Sequence, residues 1–268
     1  MPATASAVVC RALTRRFGPN AAIDHVDLDI RSGETFGLLG RNGAGKTTLI
    51  KMLTTLLPPS DGQAQVAGFD VVRQAARVRR AIGYVPQALS ADGDLTGFEN
   101  LLIFARLYDL PAREQRTRIA AALEFMDLTG DANRLVKHYS GGMIRRLEIA
   151  QSTLHRPEVL FLDEPTVGLD PLARDVVWQQ LRRLRSEFRT TIVLATHHLE
   201  EAETLCERVA ILYQGHVSII GVPSELKAGL GAGSTLEDVF ARYTGAETDV
   251  HDGIGAAYRQ RRTAERLG

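Results

Sequence analysis

The chain has 268 residues, 44% hydrophobic and 24% charged, with 32 Lys plus Arg against 32 Asp plus Glu and a formal net charge of zero. Such a length and apolar content allow one large domain with a sizeable core, and the balanced charge lacks the basic excess typical of nucleic-acid binders. The two cysteines, Cys10 and Cys206, fall in no CxxC or Cys/His spacing, which argues against a disulfide framework or zinc site and for a reduced cytosolic protein.

The N-terminal stretch "MPATASAVVCRALTRRFG" lacks the apolar run of a signal peptide. No apolar run approaches the roughly eighteen residues needed to cross a bilayer, so the chain is expected not to span a membrane by itself. Residues 7–36 alternate short apolar runs with polar turns and predict antiparallel strands. "TFGLLG" reads as a buried strand entering a glycine-rich loop, and "KTTLIKMLTTLL" as the helix after it. "PPSDGQAQVAGFDV" marks a turn and a hairpin-like stretch.

From about 88 to 138 the pattern becomes helical, in "GFENLLIFARLYDL" and in the stretch ending "LEFMDL". With the helix that follows, it makes a helical subdomain of about 88–155. In that next helix, Ser140 is a good N-cap, and Met143, Ile144, Leu147, Ala150 and Leu154 recur at helical spacing. From 157 to 220, "EVLFLDE", "ARDVVWQQLRRLRSEF", "TIVLAT", "LEEAETLCERV" and "AILYQG" give the βαβ rhythm of a parallel sheet covered on both faces. The arginines of "RRLRSEFR" at 182–189 read as a solvated helix face. After Pro223 the chain turns glycine-rich. "STLEDVFARYTG" then reads as a short helix with a Ser234/Glu237 capping box and an apolar stripe of Leu236, Val239, Phe240 and Tyr243. From Ala246 onward a mobile tail is expected. The division is therefore residues 1–222, then a C-terminal extension over 223–268.

Chemistry concentrates in two places. "GRNGAGKT", residues 40–47, fits G-x-x-x-x-G-K-[ST] between a strand and a helix. In that setting Gly40, Arg41, Asn42, Gly43, Ala44, Gly45 and Thr48 shape a backbone cradle for phosphates. Lys46 reaches the β and γ phosphates, and the Thr47 hydroxyl ligates Mg2+. "EVLFLDEPT", residues 158–166, ends a buried strand in two carboxylates, at the end of an α/β sheet where ligands bind. Adjacent strand residues face opposite ways, so Asp163 is assigned to Mg2+ and Glu164 to polarising an attacking water. The start of the Ser140 helix is a second phosphate-seeking helix terminus, with bare amides and a positive dipole end.

Taken together these segments resemble the ATP-binding subunit of ATP-binding-cassette transporters over about residues 6–222. Ser140-Gly141-Gly142 resembles the family's signature motif, Gln87 in "YVPQ" its Q-loop glutamine, "GLD" at 168–170 its D-loop, and His197 in "ATHH" its switch histidine. Phe17 lies where an aromatic stacks on adenine. The resemblance implies an α/β P-loop NTPase core with a mainly parallel sheet, an N-terminal antiparallel β subdomain and a helical subdomain. It implies ATP and Mg2+, with Gln87 joining the Mg2+ network and His197 donating to the γ-phosphate as charge builds there. Asp170 would sit at a subunit contact. His198 is the one rival to His197. His25, His138, His155, His216 and His251 read as structural or exposed.

The family geometry also implies a head-to-tail dimer with a second copy, the signature meeting γ-phosphate in trans. The same resemblance implies a separately encoded membrane permease docked at about 88–138, peripheral location at the cytoplasmic membrane face, and no nucleic-acid partner. "YSGGM", "LFLDEPTVGLDP" and "THHLEEAETLCERVAIL" are most similar to the drug-resistance exporters of the daunorubicin type. A soluble cassette ATPase acting on ribosomes or DNA is the alternative, although tandem cassettes and a long coiled-coil insertion are missing. A dead regulatory module would have lost Lys46, Asp163, Glu164 or His197. A GTPase would carry an NKxD-like motif. Import is harder to exclude from residues alone.

Overall fold

The computed structural model describes residues 6–245; the expected mobile tail from Ala246, and His251 with it, lies outside them. Within that span two sheets form. The smaller is antiparallel, in the order β2-β1-β4-β5, from β1 (Ser6–Phe17), β2 (Asn20–Arg31), β4 (Asp61–Val66) and β5 (Phe69–Asp70). The larger runs β10-β9-β3-β8-β7-β6. Its parallel strands are β3 (Thr35–Leu39), β6 (Ile82–Val85), β7 (Val159–Asp163), β8 (Thr191–Thr196) and β9 (Arg208–Tyr213), and β10 (His216–Gly221) closes one edge antiparallel.

Strand alternation builds two cores. Val159 and Phe161 of β7, with Val193 and Ala195 of β8, face α1 (Lys46–Leu53) and the antiparallel sheet. Leu160 and Leu162, with Ile192 and Leu194, face the other way, onto most of the remaining helices. These strands are therefore apolar on both faces, as a doubly covered parallel sheet requires. The second core is covered by α3 (Gly97–Leu107), α4 (Ala112–Phe125), α5 (Gly141–Thr153), α6 (Pro171–Phe188) and α7 (Leu199–Leu205). On α6, Leu181 and Leu184 are buried, whereas Arg182, Arg183 and Arg185 are exposed. The arginine run is the solvated face that its spacing predicts.

Three local details differ from the sequence reading. A short helix α2 (Ala75–Ala81) follows the hairpin, and α8 (Pro223–Ala228) follows β10, its Pro223 at the first helical position where no amide is needed. The last described helix, α9 (Leu236–Thr244), starts one residue later than Ser234 would place it. Its capping box is Thr235/Asp238 rather than Ser234/Glu237. The shift by one residue keeps Leu236 and Val239 buried against the second core, while Tyr243 remains exposed. Among the described residues no helix is long and apolar enough to cross a membrane.

Candidate active site

Four loops leave the C-terminal ends of four neighbouring parallel strands. Register brings them level: Leu39 pairs with Thr196, Asp163 with Ala195, and Val85 with Leu162. Gly40, His197, Glu164 and Gln87 each lie one or two residues beyond those positions. The loops thus meet at the end of an α/β sheet where ligands are bound. A cavity of about 400 Å³ opens there, lined by Arg41, Asn42, Gly43, Gly45, Lys46, Thr47, Thr48, Gln87 and Glu164, and by Ala22 from β2.

Glycine is required at two points of the first loop. Gly45 has φ 110°, and a side chain there would meet the Ala22 carbonyl at 2.6 Å. Gly40 faces the Leu212 carbonyl and the Ala44 methyl, both under 3 Å from where a Cβ would stand. Gly45 also caps α1 with no side-chain hydrogen bond. Ser140, Asp170, Thr96 and Thr235 do cap their helices with side chains. The first-turn amides of α1 are thereby left for an anion, where the helix dipole is positive.

Lys46 is almost fully buried. Its Nζ donates to the Gly40 carbonyl at 2.6 Å and lies 3.1 Å from Glu164 Oε1. Strand alternation alone would turn Glu164 away from Asp163. The strand ends at Asp163, however, and Glu164 takes φ 51°, which brings its carboxylate round to Lys46. A left-handed non-glycine residue costs about 1–3 kcal/mol and clusters at functional sites. His197 Nδ1 lies 2.8 Å from Glu164 Oε2. His197, not His198, is thus the ring bonded to the carboxylate. His198 packs against it, the ring centroids 4.1 Å apart and the planes tilted by 36°. Glu164, His197 and His198 place one ligand atom each within 4.8 Å of one another, but the Lys46 ammonium beside the same carboxylate disfavours a metal cation there.

Asp163 offers a different environment. Both its carboxylate oxygens are buried without a hydrogen-bond partner. Burial pushes its pKa up, the Thr47 hydroxyl opposes this, the Glu164 charge adds to it, and Lys46 opposes it again. An orphaned buried carboxylate beside the Thr47 hydroxyl, which itself lines the cavity together with Gln87, fits a hard divalent cation held by oxygen ligands.

The other sequence-predicted residues lie apart from the cavity. Phe17 is exposed, with the Arg15 guanidinium 4.8 Å from its ring centre. Ser140 accepts from the Met143 amide at 3.3 Å and is exposed. Gly142 packs so tightly on α6 that a Cβ would come 2.8 Å from the Ala173 methyl, and Gly141 faces Leu169. Asp170 is exposed and caps α6 by accepting from the Ala173 amide at 2.9 Å. His155 is buried and stacks on Tyr108 at 3.7 Å. Burial lowers its pKa to about 4, so it is a neutral packing residue.

Sequence reasoning passed over several polar residues that hold the site. Arg145 and Glu148 are each 2% exposed and paired on α5. Buried Glu201 accepts from Thr166 Oγ1 and Trp178 Nε1, at 2.9 and 3.0 Å. An Arg-x-x-Glu pair inside an apolar helix was the available signal for the first two. For Glu201, one of two adjacent glutamates, periodicity offered none.

Comparison with known proteins agrees with this geometry. Residues 23–167 match the family model described as ABC transporter. Daunorubicin resistance ATP-binding protein DrrA3 of Streptomyces coeruleorubidus is 45% identical, over 84% of this chain and 71% of its own length. Nod factor export ATP-binding protein I of Ralstonia nicotianae is 44% identical over 80% of this chain and 66% of its own. A solved ATP-binding subunit of an ABC transporter superposes with a TM-score of 0.79 at 27% identity, covering 89% of this chain and 99% of that one. With a phosphate-binding loop, a paired carboxylate and histidine, and this kinship together, the chain belongs to the ABC transporter family as an ATP-binding subunit that hydrolyses ATP.

Proposed function

We propose that this ATPase drives export of a drug, antibiotic or lipid-like compound through a separately encoded membrane permease, at the cytoplasmic face of the membrane. The observation that carries the reading is the meeting of Lys46, Thr47, Gln87, Asp163, Glu164 and His197 at the ends of adjacent parallel strands. A relative named for Nod factor export supports the outward direction, and one named for daunorubicin resistance supports a drug as cargo.

In this mechanism the amides from Gly43 to Thr48 hold the triphosphate, and Lys46 turns from Glu164 to the β and γ phosphates. Thr47, Asp163 and Gln87 are the residues that would hold Mg2+, which when bound neutralises phosphate charge. Glu164, freed from Lys46, accepts a proton from the attacking water. His197 Nδ1–H holds the carboxylate in place and the ring lies beside the γ-phosphate. Phe17 supplies a stacking face for adenine. Ser140, Gly141 and Gly142 complete the site of a second copy, and Asp170 lies at that contact. Residues 1–222 are the ATPase unit, with the stretch of about 88–138 in the helical subdomain meeting the permease.

Reconstitution into liposomes with the membrane protein of the neighbouring reading frame tests the proposal. Cargo-stimulated ATPase with outward cargo movement is expected. Stimulation by ribosomes or DNA, with none by the permease, would overturn it.

A further inference from the structure

The loop carrying Gln87 is gripped by the helix that carries Ser140. Arg145 lies one turn into α5, and its Nη1 donates to the Pro86 carbonyl at 2.7 Å and to Glu148 Oε2 at 2.9 Å. Its Nη2 donates to the Gln87 carbonyl at 2.8 Å. The other oxygen of Glu148 accepts from the Ser90 amide and, at 3.1 Å, from the Ser90 hydroxyl. One buried ion pair thus holds the main chain on both sides of Gln87, across 58 residues of sequence.

Further down α5 the same helix follows β6 closely. Ser152 Oγ donates to the Tyr84 carbonyl at 3.0 Å, and Gly83 lies so near the Ser152 carbonyl that a Cβ would stand 2.2 Å from it. Gln151 donates to Asn100 Oδ1, and that same oxygen accepts from the Asp92 amide. Strand, Gln87 loop and helix are therefore tied at several levels, with Arg145 at the level of the loop.

A surface pair would contribute little. This one is 2% exposed at both ends, where desolvation is repaid only through good geometry and further hydrogen bonds; both terminal guanidinium nitrogens and both Glu148 oxygens have them, while Arg145 Nε is buried without a partner. The guanidinium fork is what reaches two successive carbonyls together with a carboxylate; a lysine ammonium offers no such planar fork.

We propose that Arg145 and Glu148 are positioning residues for ATP hydrolysis, locking the Gln87 loop to the Ser140 helix so that both are presented as one rigid piece. Gln87 then serves the nucleotide of its own subunit while Ser140 serves the partner's, and a displacement of either is felt by the other. The inference rests on the Gln87 and Ser140 roles proposed above, and it adds the residues that couple them.

Double-mutant kinetics separate positioning from mere stability. Arg145→Lys keeps the charge opposite Glu148 but loses the fork, so the chain is expected to fold with a melting temperature close to that of the unaltered protein. Its kcat is expected to fall about tenfold with KM for ATP within twofold, the mark of an interaction realised in the transition state. Its Mg2+ requirement is expected to rise, which a general loosening would not single out. Because Arg145 acts through Gln87, adding Arg145→Lys to Gln87→Ala is expected to give no further loss. Independent, multiplying losses in the double variant would overturn the positioning role while leaving the Gln87 assignment intact. Unaltered ATPase in Gln87→Ala alone would overturn that assignment and the inference with it. If Arg145→Lys does not fold, Glu148→Gln, which retains an acceptor for Ser90, replaces it in the same cycle with the same expected outcomes.

Discussion

At the scale of single residues, the Glu164–His197 contact distinguishes two adjacent histidines that the sequence leaves as rivals, since His197 alone of the two bonds the carboxylate. His197 Nδ1 is 2.8 Å from the carboxylate, whereas the His198 ring lies against His197. His197→Ala is expected to lower kcat about 10²–10³-fold, the range for removing one donor from charge developing in a transition state, with nucleotide binding kept. His198→Ala is expected to stay within twofold, and a steady-state ATPase assay ranks the two. Met143 makes a subtler case. At position 143 a glutamine could close a capping box with the Ser140 amide, and methionine cannot. Yet Met143 is half-buried and packs on the second core, a role that helical spacing hinted at and capping rules ignored. Met143→Gln therefore exchanges apolar packing for a cap. Losing the packing costs about 1–2 kcal/mol, and the cap returns about 1 kcal/mol. Thermal melts are expected to show a slightly lower Tm, with ATPase activity within a few-fold.

At the scale of elements, helix starts give a pH-dependent signature. α3 begins with a Thr96/Glu99 capping box and α9 with Thr235/Asp238. In each, hydrogen bonds from the backbone amide and hydroxyl of the threonine hold the carboxyl below its ordinary range. A group depressed in the folded state stabilises fully above its unfolded pKa, about 4 for these carboxyls. That contribution is lost as the pH falls through the lower folded value. Amide exchange at the first turns of both helices is expected to accelerate as pH drops below about 4, after allowance for the intrinsic rate. Thr235→Ala is expected to lower Tm by a few degrees at neutral pH, whereas Ser234→Ala leaves it unchanged. The reverse order would restore the cap to Ser234.

The one-residue shift of the α9 cap marks where sequence patterns lose resolution. Alternating apolar runs and glycine-rich loops make β3, β7 and β8 and their order along the chain legible, because burial on both faces demands continuous apolar strands. The residues from Gly40 to Thr48, Asp163, Glu164 and His197 are legible from motif and context. The left-handed turn at Glu164 was not, since it depends on how one loop meets Lys46 from another. The Arg145–Glu148 clamp was obscured for the same reason: its partners are two main-chain carbonyls and one amide 58 or 59 residues away, which leave no trace in composition or period.

At the scale of the whole molecule, the proposed partnership of two copies would give Ser140 a task outside its own subunit's cavity. Ser140 is exposed, already has its hydroxyl oxygen turned to its own helix, and is not among the cavity-lining residues. Gln87, which lines the cavity, and His197, which bonds Glu164, are both exposed. A second copy placed head to tail would bring its Ser140 and the glycine amides to the γ-phosphate. In a Glu164→Gln background, where nucleotide binds without turnover, ATP is then expected to drive dimerisation. Adding Ser140→Ala removes one hydrogen bond to a charged phosphate at each of two symmetry-related sites. At about 1.5 kcal/mol apiece, the two losses weaken the dimer roughly a hundredfold. Nucleotide binding by the dilute monomer is expected to be unchanged, because Ser140 lies outside its own cavity. Sedimentation equilibrium reads the first quantity and a fluorescent ATP analogue the second. Weaker binding by the monomer would mean that Ser140 serves its own subunit's nucleotide, and the two-copy site would fall.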